Sequence, residues 1–366
     1  MPNHTQPLPD LPPPSNSVGL IGWLRSNLFS SPLNSILTLL ALYAIYLLVV
    51  PMVDWAFLKS DWIGESREAC TSGGACWVFV AVRFDQFMYG FYPESEYWRI
   101  NLAFAIIVVL LVALNIKAVP RKGWIAAFTL IGYPIIAYYL FHGGVFGLEV
   151  VETSKWGGLS LTLILSGVGI VASLPIGIVL ALGRRSQMPI VRAACVVFIE
   201  FWRGVPLITV LFMSSVMLPL FLPEGTSFDK LLRAMIGIVL FESAYMAEVV
   251  RGGLAAIPKG QYEAAKALGL NYWKSMGLII LPQALKLVIP GIVNTFIALF
   301  KDTTLVLIIG LFDLLTTVEA GFKDSNWLGY AVEGYAFAAL VYWIFCFGMS
   351  RYSQNLERKL QTGHAR

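Results

Sequence analysis

Ionisable residues interrupt several strongly apolar stretches of this sequence, and their spacing limits the chemistry they can perform. Glu200 and Arg203 are three residues apart, so on a helix they share a face and can pair with each other. At about 1.5 Å of rise per residue, both would lie close to mid-membrane in a span that begins near Ile190. Such a pair can line a route for polar solutes, or it can simply fix helix packing. Gly204 and Pro206 follow at once and predict a local break in the helix.

A second set of polar residues has the charges needed to bind a zwitterion. Glu242 lies within an apolar stretch, where a carboxylate must be paired, hydrated or protonated, and it is a candidate to meet an ammonium group. Lys301 and Asp302 end another apolar run, and Thr303 and Thr304 precede a further one, which predicts an interrupted helix. Lys301 would suit the carboxylate of the zwitterion, and Asp302 its ammonium group. The alternative is an interfacial lysine that extends to the membrane surface from a span end.

A third feature is a short, more polar segment between two apolar stretches. Residues 261–268 are mostly good helix formers, and Gly269 can end this helix because glycine adopts the left-handed conformation at small cost. Residues 271–274 can then start a second helix that leads to Pro282. The pattern predicts a compact helix-turn-helix element between two spans; the alternative is an ordinary amphipathic connector.

The sequence offers little for catalysis. It contains no Gly-x4-Gly-Lys-Ser/Thr loop that would cradle nucleotide phosphates, so we expect this chain to bind no nucleotide. His4, His142 and His364 are far apart in sequence and give no metal or proton-relay pattern. A membrane enzyme is therefore disfavoured, since no nucleophile-and-base pair is found either.

Composition defines the broad class. Of 366 residues, 57% are hydrophobic and 13% are charged, which is far too apolar for a soluble domain of this size. We predict an all-α integral membrane protein that needs a lipid bilayer and no nucleic acid. About eight stretches are long and apolar enough to span it: 34–53, 100–118, 124–140, 157–182, 190–222, 231–250, 276–301 and 331–350.

Charge asymmetry orients these spans. Basic residues concentrate in the loops at 117–122, 184–192 and 251–274 and in the tail from 351 onward, which fall on one face if the spans alternate. On the other face, residues 54–99 carry seven acidic against four basic side chains. Both termini and the segment 251–282 are therefore predicted to be cytoplasmic.

The first 150 residues contain none of these motifs. We predict a disordered cytoplasmic N-terminus at 1–32, because six of its first 14 residues are proline, and a three-span extension at 33–150 with an outer loop at 54–99. Cys70 and Cys76 both lie in this loop and can form a small disulfide ring if the compartment is oxidising; the alternative is two free thiols.

The third feature carries a family resemblance. Glu263-Ala264-Ala265, Gly269 and Ile279-x-Leu281-Pro282 match the EAA-x3-G-x9-I-x-L-P pattern, so the chain resembles permease subunits of binding-protein-dependent ABC importers. The segments 159–163, 200–206, 242–253 and 301–305 look like the subfamily for polar amino acids. The extension is similar to subunits of general L-amino-acid transporters, although added spans could also serve only insertion or stability.

The resemblance implies an organisation and a set of partners. Residues 151–366 would form a five-span permease core with a coupling loop at 251–282, in the inner membrane of a bacterium. The partners would be an ATP-binding subunit that holds ATP and Mg²⁺, a second permease subunit, and a periplasmic amino-acid-binding protein. The second permease subunit is either a similar chain, which is favoured, or another copy of this one. In this family the EAA element docks on the ATPase and transmits its closure. The competing hypothesis is an autonomous secondary transporter or channel for small polar solutes.

Overall fold

The structure is a computed structural model that describes residues 19–116, 118–221, 223 and 228–361. It is almost entirely helical, which confirms the predicted all-α class. The N-terminal part contains seven α-helices within the described residues: α1 Gly19–Asn27, α2 Pro32–Val53, α3 Trp77–Val82, α4 Phe84–Tyr89, α5 Tyr97–Asn115, α6 Lys122–Ala127 and α7 Tyr133–His142.

The remaining α-helices are α8 Gly158–Arg184, α9 Pro189–Gly204, α10 Leu207–Phe212, α11 Lys230–Ala256, α12 Lys259–Ala267, α13 Tyr272–Ser275, α14 Leu281–Leu287, α15 Ile289–Asp302, α16 Leu314–Lys323 and α17 Ala331–Gln361. A two-residue strand, β1 Phe312–Asp313, precedes α16. Short π-helical and 3-10 segments continue several helices, and these include Met276–Ile280 before α14 and Thr303–Ile309 after α15.

Six helices in the described residues are long and apolar enough to cross a membrane, or seven if the bent pair α9 and α10 counts as one span. The predicted count of eight is therefore not confirmed. The remaining predicted span is α11, which is long enough but carries charged residues such as Arg233, Glu242 and Glu248 along its length. The predicted break is confirmed, since the helix axis turns by 102° between Gly204 and Leu207.

The chain divides into two compact units, residues 1–78 and 79–366. In the first unit, α1 occupies residues 19–27, so the prediction of disorder is wrong for this part; residues 1–18 lie outside the described range. The long helix α2 buries none of its residues within the protein. After it, Cys70 and Cys76 are joined by a disulfide, and Trp55, Trp62 and Trp77 pack on one another nearby.

The second unit runs from residue 79 to residue 366. Its first hydrophobic cluster contains Ile100 of α5 and Phe141 of α7 together with Leu161 of α8. A buried Arg99 side chain adds polar contacts, 2.6 Å to the Glu96 carboxylate and 2.7 Å to the Glu149 carbonyl. The second and third spans therefore belong to the same packed body as the motif-bearing helices. Local composition could not show this, because contacts such as that of Arg99 with Glu149 join residues 50 positions apart.

Helices α8 and α11 run parallel through the middle of this unit. A Cβ added at Gly169 would lie 2.7 Å from Leu299 and 3.3 Å from Ile238, and one at Gly177 would lie 2.7 Å from Met246. Only glycine permits this close approach without a shift of the neighbouring side chain. Because the two helices run in the same direction, their C-terminal ends lie on the same side.

Candidate functional site

The matched EAA pattern forms a helix, a turn and a second helix. We call residues 259–282 the EAA segment. Helix α12 covers 259–267, close to the predicted 261–268, and Gly269 ends it with φ of +70°. The amide of Leu270 then donates to the Ala265 carbonyl at 3.2 Å, which satisfies an otherwise unpaired group at the helix end. Asn271 caps α13 by accepting a 2.9 Å hydrogen bond from the Lys274 amide.

The EAA segment is anchored on one side and exposed on the other. Ala265 is fully buried, whereas Glu263 and Ala264 are exposed. Leu268 and Trp273 expose 74% and 73% of their surface on either side of Gly269. A Cβ added at Gly269 would meet no atom within 4 Å. The turn thus presents apolar side chains and an open glycine on a segment whose base is fixed, which is the form of a docking surface.

The second half of the pattern forms part of that base. Ile279 and Leu281 pack against the same buried cluster as Tyr262 of α12, while Pro282 is exposed at the start of α14. The Gln283 side chain lies 3.2 Å from that of Gln261. The structure therefore brings the two halves of the pattern together, as a single folded element requires.

Tyr262 ties the EAA segment to the neighbouring long helices. Its hydroxyl donates a 2.9 Å hydrogen bond to the Leu254 carbonyl near the end of α11. The Arg185 guanidinium donates to both the Leu254 carbonyl at 2.9 Å and the Tyr262 hydroxyl at 3.0 Å. Arg185 directly follows α8, so one guanidinium joins α8, α11 and α12.

The predicted pair between Glu200 and Arg203 is wrong. Glu200 lies 2.9 Å from Arg184, the last residue of α8, and Arg203 lies 3.8 Å from Glu248 of α11. Spacing of three residues places two side chains on one face, but here each finds a partner on another helix. Glu200 consequently lies beside a helix end, and the expected mid-membrane pair is absent from the described residues.

Glu248 is the centre of an ion-pair network. Its carboxylate contacts Arg184 at 2.9 Å and Arg251 at 2.8 Å, and it faces Arg203 as well. Glu248 and Arg251 lie three residues apart on α11, so their pairing is a local contact on one face of the helix. The network joins the ends of α8, α9 and α11.

Glu242 and Asp302 are the two acidic residues predicted to meet an ammonium group. Glu242 is buried, and within the described part of the chain its carboxylate has no hydrogen-bond or ion-pair partner. Asp302 lies at the end of α15 and is partly buried. A buried carboxyl group without a protein partner favours a proton, water or a cation beside it.

The residues next to Asp302 adopt the expected interruption. The α-helix gives way to a 3-10 segment at Thr303, and Gly310 ends that segment with φ of +69°. Thr303 is buried and donates to the Phe300 carbonyl at 2.8 Å, while Thr304 donates to the Lys301 carbonyl at 2.9 Å. Both hydroxyls are thus engaged with the backbone. Lys301 is exposed, whereas its neighbour Asp302 is partly buried.

Sequence reasoning missed a buried polar centre beside this interruption. Asp313 is fully buried and accepts a 3.0 Å hydrogen bond from the Tyr342 hydroxyl of α17. It also accepts hydrogen bonds from the Thr316 amide at 3.1 Å and the Leu315 amide at 3.2 Å, as a helix cap does. The available signal was an aspartate three residues before a threonine at the start of an apolar periodic run.

The fold and these elements define a membrane permease. A family model described as "Binding-protein-dependent transport system inner membrane component" matches residues 173–362. The chain belongs to this family and is a permease subunit of a binding-protein-dependent ABC importer, a multi-pass protein of the inner membrane. This membership disfavours the autonomous transporter, because members depend on a binding protein.

Two relatives match almost the whole chain. The inner membrane amino-acid ABC transporter permease protein YhdY of Escherichia coli K12 is 61% identical and covers 97% of both chains. The glutamate/glutamine/aspartate/asparagine transport system permease protein BztC of Rhodobacter capsulatus is 42% identical and covers 99% of this chain and 98% of its own. Both similarities include the N-terminal extension.

Among solved structures, an amino acid ABC transporter with histidines is 28% identical, with a TM-score of 0.49. It covers 55% of this chain and 92% of its own.

Proposed function

We propose that this chain is the permease subunit that moves polar L-amino acids across the inner membrane into the cytoplasm. The observation that carries the proposal is the EAA segment, which combines an anchored base with an exposed apolar turn at Gly269. A surface of this kind suits a separate subunit that moves against it. ATP and Mg²⁺ belong to that partner, because this sequence contains no phosphate-binding loop.

The substrate class rests on the relatives and on the polar residues of the spans. YhdY is named for amino acids and BztC for acidic amino acids and their amides. Amino acids carry an ammonium group, for which the carboxyl groups of buried Glu242 and partly buried Asp302 are candidate partners. Arg203 lies at the helix break with the Tyr245 ring 5.6 Å away and supplies a positive counterpart for the carboxylate.

The proposed cycle uses both faces of the protein. A loaded periplasmic binding protein docks outside, and two ATPase subunits close on the EAA segments inside. Tyr262 and Arg185 tie each segment to α8 and α11. The closure therefore moves both helices, and α11 carries Glu242 and Glu248. Residues 251–282 and both chain ends would then be cytoplasmic, as the distribution of basic residues favours.

A second permease subunit completes the route. One five-span core is small for an alternating-access pathway, so we propose that this chain pairs with a second, different permease. The three-span extension distinguishes the two partners in this arrangement.

Purification from the native membrane in mild detergent, followed by mass spectrometry, tests the proposal. We expect a nucleotide-binding subunit and a second permease to accompany the chain, and reconstituted vesicles to take up labelled amino acids when binding protein and internal ATP are supplied. A chain that remains alone under conditions that preserve other importers, or uptake without ATP, would contradict the proposal.

A further inference from the structure

Four arginines line one open depression on the second unit. They are Arg184, Arg185, Arg192 and Arg251, and Val196 and Ala255 complete the lining. The residues come from the end of α8, the start of α9 and the end of α11. The depression therefore lies between spanning helices at the side where the EAA segment begins.

The positive charge of this depression is only partly compensated. Glu248 forms ion pairs with both Arg184 and Arg251, and Glu200 forms a second ion pair with Arg184. Arg185 instead donates to two neutral oxygens, the Leu254 carbonyl and the Tyr262 hydroxyl. Arg192 is exposed, and its side chain has no hydrogen bond or ion pair with any described residue. Two guanidinium groups are thus without a carboxylate, and an anion can bind between them.

The surface beside the depression indicates which anion this is. Val196 lines it, and α9 continues from there with the exposed apolar side chains of Val197 and Phe201. Exposed apolar residues along a spanning helix contact acyl chains. The site thus offers guanidinium groups to a phosphate and, next to them, an apolar surface to a lipid tail.

We propose that this depression binds the headgroup phosphate of an anionic phospholipid, with Arg185 and Arg192 as its main ligands. Guanidinium groups bind phosphate oxygens in pairs, and basic pockets between spanning helices are suited to anionic headgroups. Binding at this site also reaches the EAA segment, because Arg185 contacts the Tyr262 hydroxyl. The headgroup therefore lies one side chain away from the element that meets the ATPase.

Native mass spectrometry of the delipidated protein tests this inference. The protein is titrated with phosphatidylglycerol and, separately, with phosphatidylcholine, and bound lipid is counted. We expect phosphatidylglycerol to bind about tenfold more tightly, and Arg192→Gln to remove most of this preference. Lys286→Gln is the matched control, because Lys286 is an exposed cation of α14 outside the depression, and this variant should retain the preference.

Three outcomes would overturn the assignment. Equal binding of the two lipids, or an unchanged preference in Arg192→Gln, would show that these arginines do not bind an anionic headgroup. Displacement of phosphatidylglycerol by an equal concentration of inorganic phosphate would assign the site to a soluble anion. Loss of the co-purifying ATPase in Arg192→Gln, with lipid binding intact, would assign the surface to a protein partner. The Arg192 side chain is exposed and makes no hydrogen bond or ion pair within the described chain, so Arg192→Gln should fold normally.

Discussion

Arg184, the last residue of α8, lies 2.9 Å from the carboxylate of Glu248, which is 64 positions away on α11. The same carboxylate holds Arg251 and faces Arg203. One acidic side chain therefore fixes the relative position of three helix ends.

Removal of the Glu248 charge should destabilise the protein more than removal of the Glu200 charge. Glu248 is only 15% exposed, and Glu248→Gln leaves three arginines facing one another, for which we expect a loss of about 3 kcal/mol. Glu200 is 53% exposed, so Glu200→Gln should cost about 0.5 kcal/mol. Thermal unfolding in detergent measures both; equal losses would contradict the central position of Glu248.

The turn of the EAA segment can be tested with two residues of similar size. Gly269→Asp should lower uptake by about tenfold or more, because it places a negative charge on the proposed ATPase-binding surface. Gly269→Asn is the control, since asparagine tolerates a φ of +70° and brings no charge. Both proteins should reach the membrane in normal amounts, because the position is open within the chain. Normal uptake by Gly269→Asp would remove the coupling role.

The carboxyl groups of Glu242 and Asp302 should determine substrate recognition. Glu242→Gln and Asp302→Asn should each lower uptake by about tenfold, because each removes negative charge proposed to meet the ammonium group. Lys301→Ala distinguishes the two interpretations of Lys301, as a ligand of the amino-acid carboxylate or as an interfacial residue. A changed substrate profile would support a role in binding the carboxylate, whereas an unchanged profile would leave Lys301 as an interfacial residue, as its exposure favours.

The contact between α8 and α11 offers a matched pair of glycines. Gly177→Ala should cost about 2 kcal/mol, because the new methyl group would lie 2.7 Å from Met246. Gly167 lies on the same helix and faces open space, so Gly167→Ala should be neutral or slightly stabilising. Unfolding temperatures of the two variants give the comparison, and a Gly177→Ala protein as stable as wild type would show that the neighbours move freely.

Labelling of the cysteine thiols tests both the disulfide and the side of the membrane on which the loop at 54–99 lies. In intact spheroplasts, an impermeant maleimide should label Cys70 and Cys76 only after reduction, because the structure joins them and we place their loop outside. A variant with both replaced by serine is the control, since Cys195 and Cys346 remain. Labelling of the outer pair without reduction would indicate free thiols.

The sequence predicted local features well and distant contacts poorly. The turn at Gly269 and the break after Gly204 follow from backbone preferences of a few consecutive residues, and both are present. The partner of Glu200 could not be read from spacing, because Arg184 reaches it from another helix. The packing of Ile100 and Phe141 in one cluster with Leu161 of α8 could not be predicted for the same reason, since both lie outside the motif-bearing region. Burial of Glu242 was implied by its apolar neighbours, and the structure shows it buried.

The close packing of α8 against α11 sets how force travels through this protein. With glycine at positions 169 and 177, no soft layer of side chains separates the two helices where they meet, and a close-packed contact is poorly compressible. Tyr262 and Arg185 fasten the EAA segment to the ends of both. A displacement of that segment is therefore expected to tilt the two helices together as one rigid body. The movement at the opposite membrane surface should then be nearly as large as the movement at the segment.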